Sequence, residues 1–256
     1  EGDADKLCDL SSQGASELMK VPVLEIFGPT FQGEGAVIGQ KTMFVRTAGC
    51  DYSCSWCDSA FTWDGSQKDK IRMMNGDDIL AALDDLAPGN YNHVTISGGN
   101  PALLKNMQDF VEKAKVRGIK LAVETQGTVF QEWLAVIDDV TISPKPPSSG
   151  MDTDFRKLER VMAGLDEGTA HYNLKVVVFD EKDFEYAADV HGKYPHVDFY
   201  LQVGNPYLGD NVEGHTFKLL ERYERLVDMA MADPRMNDAK VLPQLHTLLW
   251  SNKQGV

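Results

Sequence analysis

Cys50, Cys54 and Cys57 fall within eight residues, Cys50-Asp51-Tyr52-Ser53-Cys54-Ser55-Trp56-Cys57. Three thiolates on one short loop can hold three irons of a [4Fe–4S] cluster, which ordinarily takes four cysteines. The fourth iron is then left without a protein ligand. An open metal position marks a catalytic centre, because something exogenous can bind there. Two plainer readings use the same residues. Zinc accepts Cys3His ligation, and His93 is a candidate fourth ligand. His93, however, stands just ahead of the strand-like Val94-Thr95-Ile96, and structural zinc ligands usually arrive as two separate pairs. A disulfide with one spare thiol belongs to secreted chains, and nothing in this sequence suggests secretion. Spacing alone leaves all three open.

The pattern C-x3-C-x2-C, followed by Asp58, resembles the signature of the radical S-adenosylmethionine (SAM) enzymes. The resemblance implies that the amino and carboxylate groups of SAM chelate the fourth iron. An electron from the cluster then breaks a carbon–sulfur bond to give a 5′-deoxyadenosyl radical.

Such a loop needs a scaffold. The 256 residues, 43% hydrophobic and 25% charged, have the composition of a soluble globular protein with a large core. No apolar run approaches the roughly 20 residues that cross a bilayer. A formal charge of −14 argues against a nucleic-acid backbone as partner; an anionic small molecule needs only a few basic side chains converging locally. Four cysteines, three in one loop, fit a reducing cytoplasm. Residues 1–20, with Cys8, read as a tail or an expression remnant without the features of a signal peptide. The organised protein is expected over 21–256 as one domain.

Strand-like segments are Thr42–Ala48, His93–Ser97, Ile119–Glu124, Val140–Ser143, Leu174–Phe179, Phe199–Val203 and, last, Val241–Leu245. Helical stripes intervene: Ile79, Leu80, Leu83 and Leu86; then Leu103, Leu104, Met107, Phe110, Val111 and Ala114; then Leu220, Tyr223, Leu226, Val227 and Ala230. Each stripe serves the core first, because an amphipathic helix needs a buried face. The alternation is that of parallel α/β architecture. Five strand ends run into polar or glycine-rich sequence: Gly49-Cys50, Gly98-Gly99-Asn100-Pro101, Thr125-Gln126-Gly127, Pro144-Lys145-Pro146 and Gly204-Asn205. A doubly wound sheet would bind ligand mainly at one crevice. Five decorated ends on one rim favour an incomplete, TIM-like barrel of mostly parallel strands.

From about Val23 to Val256 the chain resembles the 7-carboxy-7-deazaguanine synthases, the QueE proteins, in their gram-positive branch. The resemblance is carried by Glu25-Ile26-Phe27-Gly28-Pro29-Thr30-Phe31-Gln32-Gly33-Glu34-Gly35 and Phe44-Val45-Arg46-Thr47-Ala48-Gly49-Cys50. It continues in Glu124-Thr125-Gln126-Gly127, Ser143-Pro144-Lys145-Pro146, Leu242-Pro243-Gln244-Leu245-His246 and the tail Asn252-Lys253-Gln254-Gly255-Val256. It implies a lyase that contracts 6-carboxy-5,6,7,8-tetrahydropterin to 7-carboxy-7-deazaguanine and releases ammonia, in 7-deazapurine and queuosine biosynthesis. SAM is regenerated, magnesium assists, a flavodoxin or ferredoxin donates the electron, and the enzyme is a homodimer.

The same resemblance assigns roles. Trp56, Cys57 and Asp58 are SAM contacts, with Gly99, with Ser143, Pro144 and Lys145, and with Gln202, Val203, Gly204 and Asn205. Asn100 departs from the glutamate of most radical SAM enzymes; its amide can accept from the SAM ammonium but brings no charge. Phe31, Gln32 and Gly33 match the pterin-contacting stretch, and Glu34 accepts from the guanidine-like edge of the ring. Ser97, His246 and the Val256 α-carboxylate join them. Arg46, on a strand, requires a protein carboxylate or a ligand anion. The substrate carboxylate is the expected partner, because the guanidinium fork matches it bidentately. Ser59 stands at the hydroxyl ligand of magnesium. Taken alone, Trp56, the glycine pair, Ser59 and His246 also suit ordinary packing or turns. Two other functions remain at this level. A glycyl-radical activase shares C-x3-C-x2-C but needs a groove for a partner loop. A zinc-stabilised fold or electron carrier would ignore SAM.

Overall fold

The computed structural model describes residues 19–209 and 213–256. Cys8 and residues 1–18 of the expected tail lie outside the described residues.

The described residues contain one nine-stranded sheet in the order β3-β1-β2-β4-β5-β6-β7-β8-β9. β1 (Val21–Phe31) pairs antiparallel with both β2 (Lys41–Thr47) and β3 (Arg72–Met74). From β2 onward every pairing is parallel. Those strands are β4 (His93–Gly98), β5 (Lys120–Thr125), β6 (Asp139–Ile142), β7 (His171–Val178), β8 (Phe199–Val203) and β9 (Lys240–Leu242). Parallel strands are covered on both faces, which is why Val176, Val177 and Val178 run apolar without alternation.

The crossovers are helices α1 (Gly76–Leu86), α2 (Met107–Val116), α3 (Phe155–Asp166), α4 (Glu181–Lys193) and α5 (His215–Ala232), with the short α6 (Leu245–Trp250) beyond β9. Each buries an apolar stripe: Ile79, Leu80 and Leu83 of α1, Phe110 and Val111 of α2, Leu158 and Val161 of α3. Side chains set their starts. Asn75 and Asp78 form a reciprocal capping box on α1, and Asp180 accepts from the Asp183 amide on α4.

The sheet curls. β1 and β7 lie five strand spacings apart, about 24 Å if the sheet were flat. Yet Lys175 of β7 reaches Glu34, three residues beyond β1, with a 2.8 Å Nζ···O contact. β3 and β9 remain the unpaired ends, so the barrel is incomplete, as the decorated strand ends imply.

β1 escapes the sequence reading because register shifts between Val23 and Glu25 and between Phe27 and Thr30 break its alternation, with Gly28-Pro29 inside the second. The strand expected over Val241–Leu245 stops at Leu242 before Pro243, and Leu245 opens α6. Leu103 lies ahead of α2 in a single 3₁₀ turn, and Leu86 and Leu220 face solvent rather than core.

Candidate active site

The cysteine loop leaves the carboxyl end of β2 and is pinned on both sides. The Gly49 amide donates to the Thr62 carbonyl (2.9 Å), and the Gly49 carbonyl accepts from the Asn100 amide (2.8 Å). Across the rim, the Ser55 amide and hydroxyl reach the Ser149 and Ser148 carbonyls, and the Trp56 indole N–H donates to Ser148 Oγ at 2.9 Å. Tyr52 closes the far side on the Asp152 carbonyl. Gly98 and Gly99 make room for this loop. Gly98 sits at φ +138°, and a Cβ at either position would strike the backbone of Thr47 or Gly49.

Cys50, Cys54 and Cys57 are all unbridged and half-buried, which removes the disulfide reading. Burial pushes the thiols of Cys54 and Cys57 up; Lys145 opposes this at both, while neighbouring thiols at Cys54 and Asp58 at Cys57 add to it. Three soft donors gathered where thiolates are unfavourable without a cation fit the irons of a cluster. His93 cannot complete a zinc site. It begins β4, five residues (about 16 Å) from the Gly98 end beside the loop, and its Nδ1 is bonded to Thr42 Oγ1 at 2.8 Å.

A cavity of about 240 Å³ opens beside the thiols. Phe31, Gln32, Gly33 and Glu34 line it after β1, with Arg46 and Ser97 from strands and His246 and Val256 from the end of the chain. Trp56, Asp58, Ser59, Gly99, Lys145 and Asn205 also face it. Five expected SAM contacts do not. Ser143 and Pro144 are buried behind the wall, Gln202 is turned to the Leu242 carbonyl, Val203 pairs with Val178 of β7, and Gly204 packs against Phe179.

Arg46 lies between the rings of Phe27 and Phe61, 5.3 and 5.4 Å from their centroids. Its Nε stands 2.6 Å from Glu25 Oε1, but the N–H is not aimed at the oxygen, so the contact is an ion pair rather than a hydrogen bond. Glu25 is thus the protein carboxylate that the sequence leaves as the alternative partner. Nη1 donates to Ser59 Oγ (3.2 Å), and Ser59 donates to Asp58 Oδ1 (2.9 Å). The buried Ser97 hydroxyl faces the cavity with no protein partner.

On the same cavity, Glu34 receives Lys175 Nζ on one oxygen (2.8 Å) and Gln244 Nε2 on the other (3.0 Å), with His246 Nε2 at 3.8 Å. Burial would raise its pKa, but the charges of Lys175 and His246 and the bonds from Lys175 and Gln244 prevail and lower it to about 2. Lys175 itself is wholly buried, and Glu124 Oε2 holds its other side at 2.8 Å.

Asn100 corrects an expectation. Its side chain is fully buried and spent: Nδ2 donates to Asp51 (2.9 Å) and Thr128 (3.2 Å), and Oδ1 accepts from Thr125 Oγ1 (2.8 Å) and the Ala102 amide (3.3 Å). The amide braces the loop instead of receiving a ligand's ammonium. Glu124, Gln126 and Gln244 also face the cavity; they lie in the motifs quoted above, but no role singled them out. Phe27 and Phe44, from the same motifs, stack with centroids 4.8 Å apart and also line the cavity.

A curled, mostly parallel sheet with three free thiols in one rim loop and a cavity beside them fits a radical SAM enzyme, and the Radical SAM superfamily profile matches residues 44–178. The sequence is 58% identical over 239 residues to 7-carboxy-7-deazaguanine synthase of Bacillus subtilis (strain 168), covering 92% of this chain and 98% of that one. It is 58% identical over 243 residues to the Bacillus cereus protein of the same name, covering 93% and 100%. The crystal structure of QueE from Escherichia coli shares the fold at a TM-score of 0.65, with 21% identity over 91% of this chain and 98% of that one. The chain belongs to the 7-carboxy-7-deazaguanine synthase family. Its superfamily implies a [4Fe–4S] cluster and SAM, which the donor set of the rim loop fits.

Proposed function

We infer that the protein, as one radical SAM domain over 21–256, converts 6-carboxy-5,6,7,8-tetrahydropterin into 7-carboxy-7-deazaguanine and ammonia. One observation carries this reading: the Arg46 fork and the Glu34 carboxylate face a single cavity beside the three thiols. A flat bicyclic substrate with a carboxylate at one end and a guanidine-like edge at the other complements those two groups.

When bound, the cluster and SAM supply the carbon-centred radical that abstracts hydrogen from the substrate. The protein's own work is placement. Cys50, Cys54 and Cys57 hold three irons, and Trp56, Asp58, Gly99, Lys145 and Asn205 border the volume for SAM. Arg46 swings its fork from Ser59 to the substrate carboxylate. Ser59, released from Arg46, would then be free to offer its hydroxyl to a magnesium ion, which would supply Lewis-acid stabilisation to the substrate. Ser97 donates to a ring acceptor, while Phe27, Phe31 and Phe44 exclude water around the ring. Val256 and His246 close the remaining side. Ser143, Pro144, Gln202, Val203 and Gly204 support the SAM wall from behind. A cytoplasmic homodimer reduced by flavodoxin or ferredoxin suits this chemistry. Among the described residues no helix is long and apolar enough to cross a membrane.

The test is anaerobic incubation of reconstituted enzyme with SAM, dithionite and the carboxy-tetrahydropterin. Product formation is expected, and Cys54→Ala should lose both the intact cluster and all turnover. No deazaguanine from protein with full iron and sulfide content refutes the reading.

A further inference from the structure

Lys175 is the charged group that the proposed chemistry leaves unused. It interrupts the apolar run of β7 between Leu174 and Val176, with no solvent exposure. Burying an ammonium between two carboxylates rarely improves stability over a packed aliphatic side chain. The arrangement is layered. Lys175 lies behind the cavity wall, whereas the Glu34 and Glu124 side chains in front of it stay 20% and 35% exposed and line the cavity. Glu34 sits on a turn outside any strand; among the described residues its carboxylate is hydrogen-bonded to Lys175 of β7 and to Gln244 just ahead of α6, with His246 of α6 at 3.8 Å.

We propose that Lys175 is a positioning residue for substrate selection: from behind the wall it fixes Glu34, with Glu124 as counter-anchor, so that Glu34 presents an anionic acceptor to a ligand edge of adjacent N–H donors. This rests on the pterin reading and deepens it. A structural staple between β5, β7 and the turn is the competing account, and the two differ in what protonation does. Four charged or titratable groups face Glu34: Lys175 from β7, Glu124 from β5 across the shared ammonium, His246 from α6 and Asp58 from the cysteine loop. Without Lys175, burial and the neighbouring Glu124 and Asp58 carboxylates raise the Glu34 pKa from its low value, with only His246 and Gln244 left to oppose them. Glu34 then takes up a proton as pH falls, and a protonated carboxyl is a poorer acceptor for N–H donors.

The experiment titrates reconstituted holoenzyme, with SAM but without reductant, against 6-carboxy-5,6,7,8-tetrahydropterin from pH 8.5 to 5.5. Wild type is compared with Lys175→Met at each pH, so that the ligand's own ionisation cancels. The affinity of Lys175→Met relative to wild type should fall by about tenfold or more between pH 8.5 and 5.5, while Lys175→Arg tracks wild type. Iron content and the SAM-induced change in the cluster spectrum should stay as in wild type. If Lys175→Met does not fold, the double variant Lys175→Met/Glu124→Gln, which keeps the group's net charge, should show the same fall. A loss of affinity that is uniform with pH, or no loss, overturns the proposal in favour of a staple. Wild type that fails to bind the pterin refutes the functional reading, and this proposal falls with it.

Discussion

Arg46 shows how one side chain can be held ready without being used up. Two aromatic faces fix the plane of its guanidinium, Glu25 offsets its charge, and a single N–H rests on the Ser59 hydroxyl. A neutral hydroxyl at 3.2 Å is a weak partner, so exchanging it for a substrate carboxylate gains a charge-assisted contact. Removing such a contact costs about 1.5–3 kcal/mol, which is roughly a ten- to hundredfold loss in affinity. Arg46→Ala is therefore expected to raise KM for the pterin by that factor with full cluster content, and Arg46→Lys to fall between. Unchanged KM in Arg46→Ala would assign the substrate carboxylate to another group. Asn100 makes the opposite case. Its four bonds leave it nothing to offer a ligand, and the structure turns a residue-type expectation into a bracing role.

At the scale of elements, α4 braces from behind the segment on which the thiol loop rests. Asp183, wholly buried in its first turn, accepts from the Ser148 amide (3.0 Å) and the Phe179 amide (2.9 Å). Ser148 in turn holds Ser55 and Trp56, and Phe179 lies under the Trp56 ring at 4.9 Å. Asp183→Asn keeps the shape but sets an amide donor against a backbone donor, leaving one buried N–H unpaired at about 1–3 kcal/mol. Its expected effects are a melting point lower by several degrees and weaker SAM binding, read from the cluster spectrum, at normal iron content. A lower melting point with unaltered SAM binding would confine Asp183 to stability. None of this shows in the sequence, where Asp183 is one acid among many in a helix whose small Ala187 and Ala188 blur its stripe. The parallel strands are legible because burial on both faces enforces apolar runs, and the rim is legible because polar residues follow them. β1 is hidden by its bulges. Lys175 is not singled out in the strand-like Leu174–Phe179, because its two partners lie 141 and 51 residues away, separations that no local pattern encodes.

Across the whole molecule, a charge of −14 leaves capture of an anionic substrate to a few local cations, and the cavity concentrates them in Arg46 and Lys145. The sheet is open, so something other than strand pairing must seal the cavity. Residues 252–256 run between the two sides of the opening. Asn252 is bonded to Asn205 (2.9 Å) and to the Tyr207 carbonyl (2.6 Å) beyond β8. Gln254 donates to Glu25 on β1 and to Gln67, at 3.2 and 3.3 Å, and Val256 reaches the cavity. These are mostly polar contacts at the surface, each contributing about 1 kcal/mol or less, so they guard the cavity more than they hold the fold. Deleting 252–256 should leave far-ultraviolet circular dichroism and iron content unchanged and lower the melting point by only a few degrees. Chemistry should respond far more, because a cavity opened to solvent neither orients the substrate nor shields a reactive radical. The ratio of 7-carboxy-7-deazaguanine formed to 5′-deoxyadenosine released should drop about tenfold or more, a deficit that saturating pterin does not restore. If the ratio holds and only KM rises, the segment contributes binding alone and the seal lies elsewhere on the rim.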